Sequence, residues 1–296
     1  MYVHGVEVYI DYLVYEFAYF MVYWGMAFTT VSCTILFTLY RRIANSDPQR
    51  WVLAYGPLTI LDTTKSPYYE ITLFYQNFAM SCCTILFTAT DLLIASVLAH
   101  ISYQFKILQN YMTRLVKDTY IVDYKGNPNV EMSKATPLIP WKYLQRSHVK
   151  FLKYHLAVID IAREMEEAFS TLLLLVYLGT IGLLCFEIYR GSVLTNYLQM
   201  VRTMGEIVSF LVQIGTLSFW GEQVIFQSQL VAKAAYETDF VGTDLRFQKA
   251  LILTMIRSQR PVKLTAGKFA FIQLFTFTWV VKTSYSAFMI LRSAQN

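Results

Sequence analysis

The 296-residue sequence predicts an all-α, polytopic helical membrane protein whose helices continue past the bilayer into a helical bundle. Three observations carry this expectation. Hydrophobic residues make up 55% of the chain and charged ones only 15%, where a soluble domain carries about a quarter charged. The charges leave five long stretches free or nearly free of them, and the Lys and Arg gather in two of the connections between those stretches. The 22 Tyr, 21 Phe and 5 Trp exclude a disordered chain, and 12 Gly with 7 Pro exclude a collagen-like one.

The first stretch, Phe17 to Tyr40, holds 24 uncharged residues, and the second, Ile71 to Thr90, holds 20. Ala168 to Phe186 adds 19 more. A fourth stretch, Tyr197 to Trp220, carries Arg202 and Glu206 in its first turns, and the last, Phe269 to Leu291, contains Lys282. As helices, all five can cross the ~30 Å hydrocarbon core. The connections 113–155 and 233–268 hold fifteen Lys and Arg, against Arg41, Arg42, Arg50, Lys65 and Arg190 in the other two. The basic connections therefore face the cytoplasm, with the N-terminus inside and the C-terminus outside. Residues 1–11 carry Glu7 and Asp11 but no Lys or Arg, unlike a signal peptide.

From Ile71 the helical pattern runs on through Ala99, His100, Ile101, Phe105, Ile107 and Leu108 to Met112 without Gly or Pro. That is roughly 60 Å of helix, about twice the hydrocarbon thickness. Similar amphipathic extensions cover Phe151 to Glu167 and Gln223 to Tyr236, and such stripes must bury on one another. Breaks fall at Gly126-Asn127-Pro128-Asn129, Pro137 and Pro140. The expected division is 1–112, with an extracellular loop at 41–69; a cytoplasmic loop at 113–155; spans three and four with their extensions at 156–238; a cytoplasmic anchor helix at 239–268; and the last span at 269–296. Ser32 to Thr38 (SCTILFT) echoes Cys82 to Thr88 (CCTILFT), but nothing flanking either copy matches, so it is read as chance.

The sequence carries no catalytic pattern. Cys33, Cys82, Cys83 and Cys185 all fall inside spans, where free thiols pack as small hydrophobes. His4, His100, His148 and His155 form no metal-ligand spacing, and no cofactor is expected. Asp91 is read as lying at the cytoplasmic boundary of span two beside a base. Lys282, near the middle of the last span, needs water or an interhelical partner, because a lipid-facing ammonium costs at least ~2.5 kcal/mol. Gln273, Thr276, Thr278, Thr283, Ser284, Ser286 and Ser293 make that span polar through most of its length. Two readings are open: hydroxyls that bind helices together, or the wall of a pore.

Asp244 to Leu291 reads DLRFQKALILTMIRSQRPVKLTAGKFAFIQLFTFTWVVKTSYSAFMIL. This block resembles the C-terminal signature of the insect odorant receptors, an MxRxQ(R/K)P core followed by LTAGKF and TFxxVxKxSYSxF. Ser66 to Glu70, Gln104-Phe105, and Ser228 with Val231, Ala232, Ala235 and Tyr236 extend the resemblance over essentially the whole chain.

The resemblance implies a seven-span receptor, N-terminus inside, that forms a ligand-gated cation channel with a shared co-receptor as a heterotetramer in the plasma membrane of olfactory sensory neurons. Five of the seven spans are present, which is read as an N-terminally truncated tuning subunit. Its partners would be small volatile ligands and the bilayer, with no nucleic acid. Carried onto this chain, the odorant pocket would be lined by Phe28, Val31, Ile35, Tyr75, Ala79, Met80, Cys83, Met204, Val208 and Leu211. The gate would be formed by Phe288, Ile290, Leu291, Ser293 and Ala294, and the subunit anchor by Asp244, Phe247, Leu251, Met255, Arg257, Gln259 and Pro261. A transporter is disfavoured, since the spans lack the Pro-broken paired helices of that class. The remaining alternative is a truncated, non-sensing assembly subunit or a non-functional fragment.

Overall fold

The computed structural model describes residues 2–44, 53, 65–121, 141–194 and 197–293. Among the described residues, five α-helices precede a small β-hairpin, and a sixth follows it. They are α1 (Tyr2–Ala44), α2 (Tyr68–Thr119), α3 (Trp141–Val193), α4 (Tyr197–Tyr236), α5 (Leu245–Ser258), β1 (Thr265–Ala266), β2 (Ala270–Phe271) and α6 (Leu274–Ser293). α1 over Phe20–Ala44, α2, α3 and α6 are long and apolar enough to cross a membrane. α4, of 40 residues, is diluted by Arg202, Glu206, Gln213 and Glu222. At 52 and 53 residues, α2 and α3 are each about 80 Å long, so the outrun of the bilayer expected from sequence is met with length to spare.

Several boundaries differ from the sequence reading. Much of 113–155 is helical, because α2 continues to Thr119 and α3 begins at Trp141. The breaks at 126–129, Pro137 and Pro140 lie outside the described residues. The segment 239–268 is not one helix. Asp244 caps α5 by accepting the Arg246 amide at 2.7 Å, and the helix ends at Ser258 before Pro261. LTAGKF then folds into the hairpin, pairing Thr265 with Phe271 and Ala266 with Ala270. Gly267 and Lys268 supply the two positive φ angles of its turn, 60° and 62°. The last helix accordingly starts at Leu274 rather than Phe269.

The chain divides into two compact units. The first combines residues 1–13, 94–186 and 214–296. Its core is built on a seven-residue repeat in three helices. The buried positions on this repeat are Ile94, Leu98, Ile101, Phe105, Leu108, Met112 and Leu115 in α2 and Leu144, His148, Phe151, His155, Val158, Ala162 and Met165 in α3. In α4 they are Ile214, Leu217, Gly221, Val224, Ser228, Val231, Ala235 and, just past the helix, Thr238. Alternating steps of three and four residues are the signature of knobs-into-holes packing. Rings meet across the seam: Phe105 against His155 at 6.2 Å and Tyr111 stacked on Phe151 at 6.4 Å. The Thr238 hydroxyl donates to the Met112 carbonyl at 3.1 Å, and Gln109 donates to the Gln227 carbonyl at 2.8 Å. α5 adds a fourth stripe, Phe247, Leu251, Thr254 and Ser258.

Hairpin and helices meet without clearance in this unit. The Val262 amide donates to the Ser228 hydroxyl at 3.1 Å, and the Ile272 amide to the Leu264 carbonyl at 2.9 Å. A methyl at Gly221 would lie 2.3 Å from the Ile272 carbonyl oxygen, so only glycine lets α4 approach there.

The second unit combines residues 14–93 and 187–213. Leu53, Tyr69 and Leu73 form a small apolar cluster within it. Arg42 pairs with Glu70 at 2.8 Å across α1 and α2. In both copies of the TILFT echo the last threonine bonds back to the carbonyl four residues earlier, Thr38 to Thr34 at 2.9 Å and Thr88 to Thr84 at 2.7 Å.

Candidate ligand cavity, last helix and anchor

All ten residues expected to line the odorant pocket fall in the second unit. α1 and α2 line an open cavity of about 370 Å³ there, and Ile35 contributes to it together with Leu73, Phe74, Asn77 and Phe78. The walls are apolar apart from Glu70, Asn77 and Ser81, which suits a small ligand held mainly by contact area. Val31, Ala79 and Leu211 are half-buried, while Phe28, Tyr75, Met80, Cys83, Met204 and Val208 are exposed on the surface of the chain. Of the ten, Ile35 is the one that lines this cavity. Leu39, Leu73, Phe74 and Phe78 were not singled out from sequence, although they line the same cavity as Ile35. The cysteines also differ from expectation: only Cys185 is buried, and Cys33, Cys82 and Cys83 are exposed on α1 and α2.

One acid organises the interior of this unit. Asp91 is 4% exposed and accepts from the Tyr23 hydroxyl at 2.9 Å and from Gln213 at 2.6 Å. The base expected beside it is absent among the described residues; two neutral donors from α1 and α4 take that role. A second polar knot joins α3 to α4. Arg190 reaches Glu187 at 3.1 Å, Glu206 at 2.8 Å and the Thr203 hydroxyl at 2.9 Å, and Arg202 holds the other Glu206 oxygen at 2.9 Å. The charges that made the fourth stretch look less clean are thus paired with one another.

α6 uses one stripe for packing, Thr276, Val280, Ser284 and Phe288, all buried. The opposite face carries Phe275, Lys282, Ser286, Met289 and Ser293, all exposed. Lys282 makes no ion pair or hydrogen bond among the described residues. Of the expected gate residues, Phe288 sits on the packed stripe, whereas Ile290 is 68% and Leu291 49% exposed. The Ser293 hydroxyl turns back to the Ile290 carbonyl at 2.9 Å, and Ala294 lies outside the described residues.

Among the anchor residues, Phe247 and Leu251 are buried inside the chain, and Phe247 meets His148 edge-on at 5.7 Å. Met255 and Pro261 are half-buried, and Asp244, Arg257 and Gln259 lie at the ends of α5 or on its exposed side. Ile252, Leu253 and Ile256, which sequence reasoning passed over, are more than half exposed on the other face of α5. Their signal was present, since apolar residues on both faces of a short helix imply two partners.

Long apolar helices, a helical bundle with a seven-residue seam and an apolar cavity define a polytopic helical membrane protein with no enzyme-like centre among the described residues. The 7tm odorant receptor family model matches residues 6–285, so the chain belongs to the odorant receptor family. It is 24% identical over 225 residues to odorant receptor 85c of Drosophila melanogaster, and 26% identical over 241 residues to odorant receptor 13a of the same species. Each match covers 76% of this chain and 53% of the relative, so the chain spans about half the length of these curated relatives. The solved olfactory receptor OR5 of Machilis hrabei in complex with eugenol shares the fold, with a TM-score of 0.79 at 15% identity. That match covers 98% of this chain and 69% of OR5.

Proposed function

We propose that this chain acts as an odorant-receptor subunit, binding small volatile apolar ligands in the outer half of its membrane region and gating a non-selective cation channel with a co-receptor. The reading places it in the plasma membrane of olfactory sensory neurons, N-terminus cytoplasmic and C-terminus extracellular. Family membership and the basic connections support this orientation. The α1–α2 cavity beside Ile35 is the ligand site it favours, and the eugenol complex of OR5 supports the ligand class.

The observation that carries the channel reading is the open face of α6. Lys282, Ser286 and Ser293 face away from the packing of their own chain, and a membrane helix cannot leave an ammonium in lipid cheaply. Water or neighbouring subunits must cover that face, which a pore-forming assembly provides. Ile290 and Leu291 then form the apolar constriction. The exposed Ile252, Leu253 and Ile256 of α5 give the subunit contact. Ligand shifts the population toward an open state by binding it more tightly.

Co-expression with the co-receptor, with odour-evoked current and surface labelling recorded together, tests the proposal. Current that changes when Ile35→Trp fills the cavity is the expected result. Surface assembly without current would instead favour a non-sensing assembly subunit.

A further inference from the structure

A second cavity, of about 390 Å³, lies in the first unit between α3 and the connection from α5 to β1. Its rim carries Arg163, Arg257, Arg260 and Lys263, with Glu166 as its acid. We propose that this groove is a binding site for a phosphorylated anion, supplied by a phosphoinositide headgroup of the adjoining leaflet.

The four cations are largely unspent. Arg163 pairs with Asp160 at 3.2 Å, but both are well exposed and such a pair competes weakly with a multivalent anion. Arg257, Arg260 and Lys263 have no carboxylate partner among the described residues. The Arg257 guanidinium donates to the Arg260 carbonyl at 3.2 Å, which fixes it across the end of α5. The Lys263 ammonium lies 4.8 Å from the centre of the Phe271 ring, a contact that orients it and leaves its N–H groups free. Glu166 is engaged by the Thr265 hydroxyl. Pro261, which cannot continue a helix, bends the chain so that the bases on either side of it share one rim.

Chemistry and place select the ligand. Guanidinium forks match phosphate oxygens two at a time, and a phosphate monoester brings close to two negative charges where a carboxylate brings one. Glu166 precedes the uncharged 168–186 stretch by two residues, so one wall sits at its membrane boundary. Basic pockets between membrane helices on the cytoplasmic side are where phosphoinositide headgroups bind. The choice of leaflet rests on the orientation proposed above; the phosphate chemistry does not.

The test uses the full chain purified in detergent. Native mass spectrometry reads oligomer mass and bound ligand in one spectrum, with phosphatidylinositol bisphosphate, phosphatidylserine and soluble inositol trisphosphate added in separate arms. The bisphosphate lipid is expected to bind at least tenfold tighter than phosphatidylserine. The double variant Arg260→Gln with Lys263→Gln should weaken it tenfold, and Arg292→Gln, at the far end of α6, should leave it unchanged. Equal binding of inositol trisphosphate would uphold the phosphate site while moving its source from lipid to solution. Bisphosphate binding no tighter than phosphatidylserine, or undiminished in an oligomeric double variant, would overturn the proposal. Tag accessibility on intact cells tests the orientation separately, and a reversed result there would leave the binding in detergent intact.

Discussion

The amide of Gly267 donates to the carbonyl of Ser170 at 2.7 Å, pinning the hairpin turn against α3. At this approach a methyl on Gly267 would stand 2.4 Å from the Leu174 side chain, and φ is 60°. Gly267→Ala is therefore expected to destabilise the chain by about 2–3 kcal/mol, combining left-handed strain with the clash. The apparent Tm in detergent should fall by several degrees. Adding Leu174→Ala should recover only the steric part.

His155 and His148 sit on the bundle seam at 4% and 3% exposure, seven residues apart. They precede the uncharged 168–186 stretch of α3. Burial, aided by the nearby Arg257 charge, lowers the His155 pKa to about 4, and burial lowers that of His148. Both are neutral when folded and take up protons near pH 6.5 when unfolded. Their packing is fully favourable above that pH, and stability falls as pH drops from about 6.5 toward 4. Thermal unfolding at pH 7.5 and pH 5 should show the loss, and His155→Leu should flatten it.

Arg190 is shared between Glu187, which is only 7% exposed, and Glu206, which Arg202 also holds. Arg190→Ala leaves both acids without that partner and should cost about 2 kcal/mol once partial exposure is allowed for. Pairing it with Glu187→Gln should restore most of the loss. Thermal unfolding of the three chains measures this.

Lys282 is expected to face a neighbouring subunit or a vestibule below the Ile290 constriction rather than the narrow lumen. Lys282→Glu should then reduce assembly and leave unitary cation conductance little changed. Single-channel recording of the co-expressed complex decides it: a clear rise in conductance would put the side chain in the lumen.

Membrane class and helix order were legible because charge is sparse, so every Lys and Arg carries positional information. The seam of α2 was partly legible, since Ile101, Phe105, Leu108 and Met112 stood out as an apolar run. His148 and His155 hid in the same repeat because polarity masked their positions; their seven-residue spacing was the available signal. The hairpin was not legible, since four residues of strand are too few for a periodicity to show. Apolar side chains on a membrane helix point to lipid as readily as to a ligand, so composition could not separate Ile35 from Phe28.

The three-helix seam also restricts how the bundle can move. Sliding α2 along its partners by one or two residues would carry Lys106 or Arg114 toward positions held by Phe105 and Leu115. The next equivalent fit comes after seven residues, about 10 Å of travel. Small axial displacements have no resting place, so the bundle can pass on a signal by tilting as a body or by parting, but not by gliding.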